Sequence, residues 1–227
     1  MTQPTYPGLQ APGLTIKIVA DFVCPWCYLG FNRMKRALTL RPALRYRFVW
    51  QPFLLNPDTP PGGIPLRHYI AAKTAGDPKR MFSGIIQAAA QDGLPLNLSR
   101  ITAMPDSADA HRLIRWAGKI GDPAGNLQSD LAGALYDAYF GDGQDIGQRS
   151  VLTRIAAGVG LHAADAAQFL AGDEDREAIR QEHQQARGMG IKGVPCFIID
   201  GKYAISGAQD PEVFLPLLDL GRVGVIA

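Results

Sequence analysis

The chain has 227 residues, of which 47% are hydrophobic and 19% charged. That is enough chain for one large domain or for a smaller domain carrying an insertion, and an ordinary composition for a fold that buries a core. A net charge of +2 gives no field strong enough to attract nucleic acid or an anionic membrane surface, so neither is an expected partner.

The opening stretch MTQPTYPGLQAPGL lacks the positive and apolar regions of a secretory signal. No apolar run approaches the ~20 residues of a membrane-spanning helix. A cytoplasmic protein is expected, with thiols held reduced, and three cysteines do not make the even disulfide framework of a small secreted fold. From Leu14 to Asp21 the chain is short, β-branched and apolar, which predicts a buried strand. DFVCPWCYLG (21–30) follows at once and places Cys24 and Cys27 three apart. Beyond Cys24, Leu29, Met34, Ala37 and Leu38 recur near helical spacing, and Pro25 suits a first helical turn because no N–H is needed there. ALRYRFVWQPFLL (43–55) alternates Leu44, Tyr46, Phe48 and Trp50 against Arg45, Arg47 and Gln51, a second strand that completes a βαβ unit.

NPDTPPGGIP (56–65) marks a boundary. From Leu66 to Arg187 the periodicity is helical, with breaks at DGLPLN, GDPAGN and GDGQDIG, and five or six helices are expected. Ser107 and Asp173 are read as start signals for two of them. Strand character returns in GVPCFIID (193–200), followed by a two-residue turn at Asp200-Gly201, the strand KYAISG and a last helix in DPEVFLPLLDL. The order βαβ, helices, ββα is that of a thioredoxin-type sheet split by a helical insertion. GMGIKG (188–193) matches G-x-G-x-x-G, but it follows a helix and precedes a strand, so it is read as a helix stop and loop, not a dinucleotide turn.

A cysteine at a helix start faces unpaired backbone N–H groups and the positive end of the macrodipole, both favouring thiolate. Cys24 is therefore expected to be the exposed, low-pKa, attacking thiol. Cys27, one turn deeper, reaches the same sulfur and is expected to resolve the mixed disulfide. Pro25 and Trp26 tune the pair, and Trp26 adds no positive charge to thiolate stabilisation. Two other readings compete with this one. Half of a zinc site would need two more ligands from Cys196, His68, His111, His162 and His183, none in a ligand-like pair, so no metal is expected. Inert core thiols fit a helix interior better than a start marked by Pro25. Downstream, Val194 and Pro195 match the loop of a thioredoxin-type site, where a cis-proline sits against the CxxC and the preceding backbone pairs with extended substrate.

These residues resemble the DsbA-like branch of the thioredoxin superfamily. VWQPFLLNPDTPPGG, ADAHRLIRWA, LYDAYFGDGQDIG and GVPCFIIDGKYAISGAQDPEVF resemble its cytosolic FrnE-type subgroup, over nearly the whole chain after the first dozen residues. The resemblance implies an α/β, thioredoxin-like fold with an inserted all-helical domain, divided as 13–57, 58–189 and 190–227. It implies thiol–disulfide oxidoreductase or disulfide isomerase activity carried by Cys24 and Cys27, with Pro195 as the cis-proline. Disulfide- or thiol-containing proteins or small thiols would be the partners, and no cofactor is needed beyond the chain's own cysteines. The same branch holds kappa-class glutathione transferases and 2-hydroxychromene-2-carboxylate isomerases, which carry serine at the Cys24 position and an Asp or Asn next to Arg where this chain has GAQ (207–209). A glutathione-linked isomerase or transferase is thus the second reading, and a non-enzymatic thiol- or metal-binding module the third. Cys196 stands where an apolar or aromatic residue is expected and is read as a buried, inert strand thiol. His111 is read as a packed or surface residue of an amphipathic helix and Asp21 as the end of the first strand, with no catalytic role assigned to either.

Overall fold

The computed structural model describes residues 13–74, 77–121 and 126–223. The opening residues 1–12 and the centre of the GDPAGN break lie outside the described residues. Strand β1 (Leu14–Ala20) buries Leu14, Ile16 and Ile18 on one face and Val19 on the other, as period-two alternation demands of a strand covered on both sides. Helix α1 (Pro25–Thr39) leads to β2 (Tyr46–Pro52), which runs parallel to β1 from the Leu14–Tyr46 pair to the Ala20–Pro52 pair. The βαβ unit is therefore present as expected.

Near the C-terminus, β5 (Cys196–Ile199) pairs antiparallel with β1, and β6 (Tyr203–Ser206) with β5, giving the order β2-β1-β5-β6 before helix α9 (Pro211–Val223). The β5–β6 turn does centre on Asp200 and Gly201, both at positive φ (49° and 68°). Its first paired residues are Ile199 and Tyr203, however, so the connection is three residues long rather than two.

Seven α-helices, not five or six, lie among the described residues between the two halves of the sheet. They are α2 (Leu66–Thr74), α3 (Pro78–Asp92), α4 (Ala108–Ile120), α5 (Leu127–Tyr136), α6 (Arg149–Gly158), α7 (Ala163–Ala171) and α8 (Arg176–Gly188). Two boundaries account for the difference. Asp77 starts α3 by accepting the Lys79 N–H at 2.9 Å, and Gly160 at φ 92° separates α6 from α7. The start signals also shift. Ser107 makes no side-chain cap, and Asp106 accepts the Ala108 N–H instead. Asp173 closes only a turn, through its carbonyl and the Arg176 N–H, while Asp175 in the left-handed region precedes α8. Two features escape the periodicity: Ile64–Pro65 (β3) pairs with Ala103–Met104 (β4), and α5 runs into a π turn at Asp137–Gly141. GMGIKG proves to be the end of α8 and a loop, with Gly190 at φ 84°.

The sheet is covered on both faces. On one, Ile16, Ile18, Phe197 and Ile199 pack with Phe31 and Met34 of α1 and Phe214 and Leu218 of α9, in a core that continues into α4 and α5 through Leu113, Leu131 and Tyr136. Each such fully buried side chain contributes about 1.5–3 kcal/mol of transfer free energy. On the other face, Val19, Phe53, Cys196 and Ile198 pack against Ala186 of α8. The fully buried guanidinium of Arg112 in α4 pairs with Asp109 and donates to the carbonyls of Phe169, Gly172 and Glu174, which pins α4 to the ends of α7 and α8. One apolar layer thus joins the helical stretch to the strands that carry the CxxC.

Candidate active site

Cys24 is the N-cap of α1, with φ −97° and ψ 112°, and Pro25 opens the helix. The Cys24 carbonyl accepts the N–H groups of Cys27 at 3.0 Å and Tyr28 at 3.2 Å. No acidic residue occupies the first turn, so nothing there offsets the positive helix end. Both sulfurs are free thiols, hydrogen-bonded to each other. The Val194–Pro195 bond is cis, as the sequence predicts, and the Cys24 thiol donates to the Val194 carbonyl at 3.7 Å.

One expectation needs correcting. Cys24 is not exposed: it retains 5% of its surface, against 1% for Cys27, because the loop of Val194 lies on it. Trp26, at 39%, is the open member of the motif, and its ring lies against Gly84 of α3, where an added Cβ would stand 3.6 Å away. Burial, together with the Cys24 hydrogen bond and charge, pushes the Cys27 thiol well above its ordinary pKa, with only a main-chain hydrogen bond from Asp21 working the other way.

Two residues that sequence reasoning passed over set the position of the loop. A Cβ at Gly30 would fall 2.8 Å from the Pro195 ring and 3.3 Å from both Ala208 and Phe197, so α1 approaches the cis-proline only because this residue has no side chain. The available signal was a glycine inside a helical pattern. Arg33, buried, binds Asp92 at the end of α3, donates to the Ala208 carbonyl and pairs with Asp210. It thereby ties α1 to the GAQ segment ahead of α9.

Beneath the cysteines lies a polar cluster that joins strand ends to the helical stretch. Asp21 is fully buried. Its carboxylate accepts the Leu55 N–H at 2.7 Å and stands 3.4 Å from His111 Nε2, while its carbonyl accepts the Cys24 N–H at 3.2 Å and the Tyr136 hydroxyl at 3.5 Å. His111 is therefore packed, not a surface residue, and its ring lies 4.8 Å from Phe22. The fully buried phenol of Tyr136 is held well above its ordinary pKa by burial and by the charges of Cys27, Cys24 and Asp21. Close by, His183 Nδ1 accepts the Leu54 N–H at 3.0 Å, and burial lowers its pKa. None of these long-range pairings has a local signature in sequence.

Cys196 sits apart, on the α8 face of the sheet beside Val19 and Ile198, 3% exposed. Burial raises its pKa and a hydrogen bond with Ser206 opposes the rise. Among the described residues no group of three or more His, Cys, Asp or Glu is placed to hold a metal ion, and no helix is long and apolar enough to cross a membrane.

The fold recurs in known proteins. A probable DsbA oxidoreductase from Streptomyces coelicolor is 27% identical, with a TM-score of 0.79 over 94% of this chain and 92% of its own. The cytosolic disulfide reductase DsbM from Pseudomonas aeruginosa matches with a TM-score of 0.60 at 22% identity, over 93% of this chain and 96% of its own, and its structure with GSH with 0.59. A 2-hydroxychromene-2-carboxylate isomerase shares the fold at a TM-score of 0.64 and 16% identity, over 92% of this chain and 96% of its own. The model of the DSBA-like thioredoxin domain matches residues 15–219, so the chain belongs to the DSBA-like thioredoxin domain family and carries its thioredoxin-like fold.

Proposed function

We propose that the chain is a cytoplasmic thiol–disulfide oxidoreductase or disulfide isomerase of the FrnE type, working through Cys24 and Cys27. The observation that carries this reading is the Cys24 sulfur at the N-cap of α1, hydrogen-bonded to Cys27 and 3.7 Å from the Val194 carbonyl. As thiolate, Cys24 attacks a substrate disulfide, forming a mixed disulfide and releasing one substrate sulfur. Cys27 then attacks the Cys24 sulfur and releases the second, so two electrons pass to the substrate and the Cys24–Cys27 disulfide remains. The reverse sequence oxidises a dithiol. No cofactor is required. Val194 main chain would dock the extended substrate backbone beside the reacting sulfur, with Trp26 as the open apolar surface next to it and Pro25 setting the helix start.

Disulfide- or thiol-containing proteins and small thiols are the substrate classes, and the GSH-bound structure of DsbM supports the small-thiol part. A cysteine at position 24, where glutathione-linked isomerases carry serine, favours dithiol exchange over that second reading. Equilibration of the protein with glutathione buffers of graded ratio, followed by alkylation and mass measurement, tests the proposal. A two-electron transition confined to Cys24 and Cys27 is expected; absence of any Cys24–Cys27 disulfide, or retention of full activity toward a glutathione-dependent substrate by Cys24→Ser, would overturn it.

A further inference from the structure

We propose that Arg33 is a positioning residue for substrate docking: it anchors the turn behind Pro195 to α1 and α3, so that the Val194 loop is held in the position that receives an extended polypeptide. The proposal rests on the dithiol reading above and names the substrate class that the site favours, a disulfide carried on an extended polypeptide over a small disulfide without a backbone. Arg33 acts through main chain and neighbouring helices, not on the sulfurs.

The docking loop is lightly held on its leading side. The N–H groups of Lys192, Gly193 and Val194 have no main-chain partner among the described residues, which leaves them open to a substrate backbone but gives the loop little support. Behind Pro195, the Gly207 N–H donates to the Pro195 carbonyl at 2.8 Å. Gly207, at φ 85°, belongs to a turn closed on itself: the Gln209 N–H bonds the Gly207 carbonyl at 3.0 Å, and the Gln209 side-chain amide donates to the Ser206 carbonyl at 2.9 Å. Such a turn sets the loop only where it is itself fixed to the body of the protein, and Arg33 supplies that attachment.

Arg33 is buried and stands three residues after Gly30, on the same face of α1. Its Nη1 donates to the Ala208 carbonyl at 2.9 Å and lies 2.8 Å from the Asp210 carboxylate, while Nε and Nη2 donate to the two oxygens of Asp92 at 2.6 and 3.3 Å. The Asp210 side chain is 69% exposed, so water competes for that pair and the Ala208 and Asp92 contacts carry the anchor. The two-point grip of Asp92 fixes the plane of the guanidinium, and with it the place where Nη1 meets Ala208. Asp92 is the last residue of α3, the helix whose Gly84 lies against the open indole of Trp26. Arg33 therefore sets the spacing between the apolar surface beside Cys24 and the loop that pairs with substrate backbone. A polypeptide that spans both depends on that spacing; a small disulfide that meets only the sulfur does not.

The test is rapid mixing of the reduced full-length protein with graded concentrations of two disulfides, followed by acid quench and mass measurement of the oxidised protein. One is an extended peptide whose single cysteine is joined to mercaptoethanol; the other is bis-hydroxyethyl disulfide, which has the same leaving thiol and no backbone. Each is reduced to two thiols as the Cys24–Cys27 disulfide forms. Arg33→Gln should raise the half-saturating peptide concentration about tenfold, as expected when the docking position is occupied about a tenth of the time. The limiting rate with peptide and the rate with bis-hydroxyethyl disulfide should stay within about twofold, the pattern of a lost binding contribution. Arg33→Gln combined with Asp92→Asn leaves no buried carboxylate without its cation and should show the same split, which tests the proposal even if the single variant folds poorly. Arg41→Gln is the control: Arg41 binds Asp219 of α9 through two N–H groups at 2.6 and 2.7 Å, away from the docking loop, and both substrates should react as with the unmodified protein. Equal losses on the two substrates, an unchanged half-saturating concentration in both Arg33 variants, or the same rise in Arg41→Gln would overturn the role of Arg33 and leave dithiol exchange standing. Failure of the unmodified protein to reduce either disulfide would overturn both.

Discussion

Cys27 and Cys196 are comparably buried, at 1% and 3% exposure, yet they lie on opposite sides of one sheet in different chemistry. Cys27 faces a second thiol and a main-chain hydrogen bond from Asp21. Cys196 faces Val19, Phe53, Ala186 and Ile198, with Ser206 as its one polar neighbour among the interactions described. Burial raises the pKa of both, so burial alone does not distinguish the two. What separates them is the neighbouring sulfur of Cys24, which the proposed exchange requires.

Removing one sulfur at a time should separate the two cysteines by the largest effect. Cys24→Ser should abolish disulfide exchange, while Cys27→Ser should keep attack and accumulate mixed disulfides, both read by mass spectrometry after incubation with glutathione disulfide. If Cys196→Ala abolished exchange as completely, the two faces of the sheet would not be distinct.

Gly30→Ala perturbs only the α1 side. The new methyl meets the Pro195 ring at 2.8 Å, a conflict whose overpacking cost of about 1–3 kcal/mol outweighs the ~1 kcal/mol gained in helix propensity. Lower denaturation midpoints and slower exchange are expected together, because the displaced loop carries Val194. Unaltered exchange with lower stability would show that the loop does not hold the substrate.

Proton binding distinguishes the faces at opposite ends of the pH scale. The reduced protein holds the Cys27 proton more tightly folded than unfolded. Its folding stability should therefore decline as pH rises above the unfolded thiol value of about 8.5, where the unfolded chain loses its proton first. The Cys27→Ser variant should show a shallower decline in denaturant titrations. His183, beside the α8 face, has a lowered pKa, so stability is full above the unfolded histidine value of about 6.5 and falls as pH drops below it, where the unfolded chain binds the proton first. His183→Gln should flatten that acid limb without moving the alkaline one.

The smallest effect belongs to Cys196. Its replacement by Ala should cost about 1 kcal/mol for the lost packing, leave exchange rates within about twofold on the argument that an unpaired buried thiol is inert, and leave the Cys24–Cys27 bridge as the product of oxidation in peptide mapping. A bridge from Cys196 to either active-site cysteine would make it a third redox participant.

The strands, the CxxC at a helix start and the cis-proline loop were legible because each rests on neighbours in sequence: alternation over Leu14–Ala20, Pro25 at the first helical turn, Val194-Pro195 ahead of an apolar strand. Helix number was less legible, since α6 and α7 are separated by a few residues around Gly160 and an alanine-rich pattern reads through so short a break. The low exposure of Cys24 was not legible at all, because the Val194 loop that covers it lies 170 residues away in sequence.

The order of elements and the place of Cys24 and Cys27 at a helix start follow from local sequence, since periodicity, β-branching and proline geometry act within a few residues. Tertiary structure decided what surrounds those thiols: His111 against Asp21 across 90 residues, Tyr136 against the same aspartate across 115, and α8 over the second face of the sheet. Those partners are chosen by packing a common core, which brings side chains together from segments whose local patterns carry no record of one another.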